Sequence, residues 1–163
     1  MRSLALKLLV PMLILGLAAP AQAGPKEDKL LAGYAGTWRG ASTVSGPMQG
    51  PVECVLNFNS ESGGKLRYAG DCTFDKGKTA FRGTIIYNDG ARRYETAGSG
   101  QGVSVTGFGK ASGNSITFSV ANVETSYGVA SSTMVLAGSS IKLSFKLVDK
   151  KGTTSANINF KKG

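Results

Sequence analysis

The stretch from Val52 to Asp75 constrains this chain more than any other, because it holds two cysteines, each set in an alternating run. It reads V-E-C-V-L-N-F-N, a turn, then K-L-R-Y-A-G-D-C-T-F-D. Val52, Cys54, Leu56 and Phe58 share one parity, as do Leu66, Tyr68, Cys72 and Phe74 after the turn. That is the period-2 signature of two half-buried strands. If Cys54 faces Cys72, Glu61 falls opposite Lys65, and Ser62, Gly63 and Gly64 form a three-residue loop with glycine where a left-handed residue is needed. The same register sets Glu53 against Thr73 and Asp71 against Val55. Periodicity, turn chemistry and cysteine spacing therefore predict one hairpin.

The cysteines also speak to compartment. Arg2 and Lys7 flank an apolar run from Leu8 to Ala19, followed by Ala21-Gln22-Ala23, the order of a cleaved secretory signal with cleavage expected after Ala23. The run is shorter than the roughly 20 residues that span a bilayer, and no later one exceeds it. No cysteine lies near the cleavage site, so no lipid anchor is expected. The protein is expected to be periplasmic or secreted. An oxidising space lets Cys54 and Cys72 pair, and closing a loop of this size contributes about 3 kcal/mol in the chain-entropy view. With no histidine and no third cysteine in the chain, a zinc site lacks ligands and a cysteine nucleophile lacks its usual base.

Residues 24–163 are one domain's worth of chain, enough for a single core. They carry 17 basic against 10 acidic residues, a net charge of +7. The doublets Arg92-Arg93, Lys150-Lys151 and Lys161-Lys162 are not interleaved with aromatics as in a nucleic-acid surface. A solvated surface is expected, with an electrostatic leaning toward acidic headgroups or polymers.

Residues 24–35 form an N-terminal segment in which Pro25 to Tyr34 makes one or two helical turns before Gly33 and Gly36 stop it. Residues 36–163 form the barrel domain. Strands are predicted over Gly36–Val44, the hairpin above, Thr79–Tyr87, Arg92–Ala97, Val103–Lys110, Ser115–Val123, Tyr127–Ala137, Ile141–Leu147 and Thr154–Phe160. Asn88-Asp89-Gly90 is a strong hairpin turn, Gly98 to Gly102 reads as a connection, and Gly107 and Gly109 as a bend or bulge. Strands with one apolar face and tight turns close most simply into an antiparallel up-and-down barrel of about eight to ten strands, all-β apart from the short N-terminal helix; a two-sheet sandwich is the alternative.

Gly36-Thr37-Trp38 after a short helix resembles the G-x-W entry of lipocalin-type barrels, which implies a tryptophan plugging one end. Gly36-Thr37-Trp38-Arg39-Gly40 also resembles the opening of nitrobindin-type haem barrels; those hold iron through histidine, which this chain lacks. Trp38, Cys54-Val55-Leu56 and Lys65-Leu66 to Gly70-Asp71-Cys72 look like the small periplasmic inhibitors of serralysin-type metalloproteases. The overall pattern is similar to small secreted bacterial proteins of unknown function.

Groups for catalysis are few. There is no histidine and no G-x-S-x-G elbow, and Gly98-Ser99-Gly100-Gln101-Gly102 leads into a strand rather than a helix. Glu61, Asp75, Asp89 and Asp149 read as turn residues, and Glu53 with Asp71 as a solvated diagonal pair. The expectation is a non-enzymatic barrel, without metal or cofactor, that binds a small apolar or amphipathic molecule, with Trp38, Phe58, Tyr68, Phe81 and Phe118 as candidate wall residues. The alternative is a protein-binding envelope module such as a protease inhibitor, using a flexible segment Gly24 to Gly33 as its insert.

Overall fold

The alternation read from the sequence becomes a closed meander. The structure, a computed structural model, describes residues 24–75 and 77–163, so the signal-like segment 1–23 lies outside the described residues. A short helix, α1 (Pro25–Ala32), precedes ten strands: β1 (Gly36–Val44), β2 (Gly50–Glu61), β3 (Lys65–Phe74), β4 (Gly77–Asn88), β5 (Arg93–Gly100), β6 (Val103–Ser112), β7 (Ser115–Thr125), β8 (Gly128–Ala137), β9 (Ser140–Asp149) and β10 (Gly152–Lys162). Each strand pairs antiparallel with its sequence neighbours, and β1 with β10 closes the barrel. Closure removes the exposed edges that an open sheet of this length would present.

The organising hairpin keeps the predicted register. Cys54 faces Cys72, Glu61 faces Lys65 and Glu53 faces Thr73. The cysteines form a disulfide with Cα atoms 4.1 Å apart, the close approach of directly opposed residues. Gly63 and Gly64 take φ of 72° and 66°, the left-handed values that a side chain resists. Both sulfurs lie inside the barrel, with the cysteines 2% and 4% exposed.

Two local expectations are corrected, both through glycine. The predicted connection Gly98 to Gly102 is largely strand: β5 runs on to Gly100, and only Gln101 and Gly102 turn. Gly98 and Gly100 face inward, where a Cβ on Gly98 would strike the Tyr68 hydroxyl and one on Gly100 would press on Phe81. Gly107 and Gly109 make no bulge against β5, which stays in register with β6 from Tyr94↔Gly109 to Gly100↔Val103, whereas on the other side the β6–β7 ladder stops at Gly109↔Phe118. A Cβ on Gly109 would meet the Phe118 ring, so the residue makes room for that ring. The irregularity lies in β7, between Val120 and Val123, with Asn122 at φ 56°.

The core is a single cluster that includes Trp38, Leu56, Phe58, Leu66, Ile85, Ile116, Phe118, Leu136, Ile141 and Phe160. These residues share the inward parity, so what drives folding is burial of one face of each strand, at about 25 cal/mol per Å² of apolar surface.

Candidate functional site

The two ends of the barrel differ, and the difference begins with α1. Gly24 caps a helix with proline in its first turn and Glu27 and Asp28 beside it, a favourable charge arrangement at a helix start. Its apolar side turns to the barrel through Leu31, 1% exposed. The segment is strapped across one end by three turns. The Gly24 N–H donates to Asp89 Oδ1 at 3.2 Å. The Tyr34 hydroxyl donates to the Asn114 carbonyl and accepts from the Gly138 N–H, both at 3.1 Å. The stretch read as a flexible insert is therefore docked, because Leu31 and Tyr34 gain more by burial than a solvated tail would.

Trp38 completes the plug. It is 1% exposed, its Nε1–H donates to the Tyr34 carbonyl at 2.8 Å, and its ring lies 6.3 Å from that of Tyr34. The Lys162 Nζ sits 5.6 Å over the ring and reaches the Gly33 carbonyl at 3.4 Å. Burial pushes the Tyr34 phenol above its ordinary pKa, partly offset by the Gly138 hydrogen bond.

The middle of the barrel is filled. Phe58, Tyr68 and Phe81 form an aromatic file with ring centroids 6.0 and 6.4 Å apart. Inward glycines provide its seat: a Cβ at Gly70 would enter the Phe81 ring, and one at Gly83 would meet Tyr68. The Tyr68 hydroxyl stands 3.4 Å from Thr96 Oγ1.

The opposite end has no such plug among the described residues. There the inward-facing Val103, Val105, Val120, Val123, Phe145 and Leu147 remain half-buried, although Val44, Val52 and Thr154 across the barrel are buried. The wall is also looser on this side. β6 and β7 pair only from Gly109↔Phe118 to Ser112↔Ser115, so Val103–Phe108 and the bulged half of β7 leave the ladder toward the open mouth.

Of the five wall residues expected from the sequence, Trp38, Phe58 and Phe118 lie in the core at 1%, 2% and 3% exposure. Tyr68 and Phe81 are half-buried. The structure groups Phe58, Tyr68 and Phe81, and puts Trp38 in the plug and Phe118 under Gly109. Val103, Val105, Val120 and Phe145 at the mouth escaped sequence reasoning. Their parity marked them as inward, but nothing local says which end of a strand meets the plug.

No protein-family model matches this chain, and no curated protein matches it. Among solved structures, the chain is similar to the crystal structure of Rv2717c from M. tuberculosis, at 14% identity and a TM-score of 0.63, over 86% of this chain and 98% of that one. At that identity the likeness shows the fold alone. No helix among the described residues is long and apolar enough to cross a membrane.

Proposed function

We propose that this is a non-enzymatic, periplasmic or secreted barrel that holds a small apolar or amphipathic molecule at its open mouth. The observation that carries the reading is the asymmetry of the ends. Where α1, Tyr34 and Trp38 bury one end, the other keeps half-exposed inward valines and Phe145 beside a break in the β6–β7 ladder. Apolar side chains left accessible at the mouth of a closed barrel are a usual place for a small ligand. Because the aromatic file fills the middle, the ligand would rest above Tyr68 and Phe81 and against Val105, Val120 and Phe145, with Trp38, Phe58 and Phe118 as supporting core. The G-x-W likeness to lipocalin-type barrels supports the same reading, as do the signal-like residues 1–23 and the disulfide for the compartment.

Native mass spectrometry of protein purified from its own envelope tests it. A bound species is expected, lost in Val105→Asp, where a charge enters the mouth. A clean apo mass from freshly isolated protein sinks the reading.

The alternative, a protein-binding envelope module, draws its support from the outer wall of the open end. Val129 and Val148 oppose each other across β8 and β9 at 39% and 41% exposure, beside Tyr127 at 64%. Its test is a pull-down from envelope extract, which would have to recover a stoichiometric partner that Val129→Lys and Val148→Lys abolish together.

A further inference from the structure

At the plugged end, α1 and the β4–β5 hairpin flank a partly open cleft of about 150 Å³, with Lys26, Arg92 and Arg93 at its exposed rim. Leu30, Tyr87 and Tyr94 form apolar walls, the two tyrosine rings meeting edge to face with centroids 4.9 Å apart. Lys26, Arg92 and Arg93 bring positive charge to the lining, against one carboxylate, Glu27. Arg93 is already engaged: its Nε donates to Glu95 Oε1 at 2.9 Å, and its guanidinium lies 3.7 Å from the centre of the Phe108 ring. Lys26 and Arg92 have no carboxylate at ion-pair distance among the described residues.

Arg92 is also held in a conformation that its type disfavours. Its φ is 52°, a left-handed value that a non-glycine residue disfavours. Glycine would take it freely, and a turn with Gly90 two residues earlier does not by its own geometry ask for arginine. Tyr94 faces the same space as a neutral donor: its pKa is pushed up to about 12, first by burial and then by the negative charge of Glu27.

We propose that this cleft binds a small organic anion, with a carboxylate or phosphate head held by Arg92 and Lys26 and a compact apolar body against Leu30, Tyr87 and Tyr94. The size suits such a guest, since about 150 Å³ is room enough for a benzene-sized ring. A guanidinium matches both heads with paired N–H donors. The site lies at the opposite end from the open mouth and does not rest on the mouth's function.

The test is a titration of the folded, disulfide-intact protein, read from the backbone amides of Gly109 and Gly113, which line the cleft. Benzoate and phenyl phosphate are the probes, and benzyl alcohol is the neutral control. Saturable shifts are expected with at least one anion, and the tighter of the two identifies the head group. Arg92→Gly should weaken that binding at least tenfold, equivalent to about 1.4 kcal/mol. Its unfolding midpoint should hold or rise, because glycine takes this φ without strain. The proposal is overturned if neither anion saturates below about 10 mM, if Arg92→Gly binds within about twofold of the parent, or if benzyl alcohol binds as tightly as the anions. The species retained at the mouth is read separately, through Val105→Asp.

Discussion

The two ends of this barrel are built from the same alternating strands, yet one is a plug and the other a mouth. At the plugged end, Leu31, Tyr34 and Trp38 are each at most 2% exposed, and three turns hydrogen-bond to the segment that carries them. At the open end, inward valines on β6 and β7 stay half-buried and the ladder between those strands lapses. The lesson is that closing a sheet fixes the wall without fixing the ends. An end needs its own cover, and here only one has it among the described residues.

The sharpest way to break the contrast is Trp38→Ala. Removing a fully buried ring costs about 3 to 5 kcal/mol and strands the Tyr34 carbonyl that its indole N–H now satisfies. Urea unfolding should show that loss, and a cost near 1 kcal/mol would mean that the plug is not the stable end. Removing the disulfide with Cys54→Ala and Cys72→Ala should cost about 3 kcal/mol by the same measurement, or the equivalent on adding reductant. Phe81→Ala, in the half-buried upper part of the aromatic file, should cost about 2 kcal/mol, less than a fully buried ring. A penalty matching that of Trp38→Ala would erase the distinction between the ends.

Smaller effects sharpen it. Tyr34→Phe leaves the Gly138 N–H and the Asn114 carbonyl without their partner, at about 1 to 2 kcal/mol. Amide exchange should quicken in α1 while the central strands stay protected. The smallest is a pH effect. Tyr94 is raised from 10.0 to about 12 in the fold, so the folded state holds its proton more tightly than the unfolded chain. The stabilisation is complete below about pH 10 and is lost as pH climbs through about 12. Tyr94→Phe should flatten the decline of the unfolding midpoint over that range.

Much of the fold was legible. The hairpin register followed from parity, the turn glycines and the cysteine spacing, all local signals that agree. The strands misjudged were those where glycine faces inward: Gly98, Gly100 and Gly109 read as breaks because a strand glycine carries no side chain to pack. Their reason lies elsewhere in the chain, in the Tyr68, Phe81 and Phe118 rings that occupy the vacated space. The site was less legible for a similar reason. Val105 and Phe145 look like ordinary core residues, and Trp38 and Phe118 like equally good wall residues, until the helix is seen to cover one end only.

By itself the sequence determined the strand count to within two, the sense of the meander, the facing cysteines and the short leading helix. Each is set by neighbours within one or two turns of chain, where periodicity and turn stereochemistry act directly. Only the tertiary structure decided which end α1 covers, which glycines serve as seats for aromatic rings, and that Arg92 and Lys26 meet Tyr87 and Tyr94 around one cleft. Those outcomes depend on residues brought together by closing β1 onto β10, and a period-2 pattern carries the face on which a side chain stands but not the neighbour it finds there.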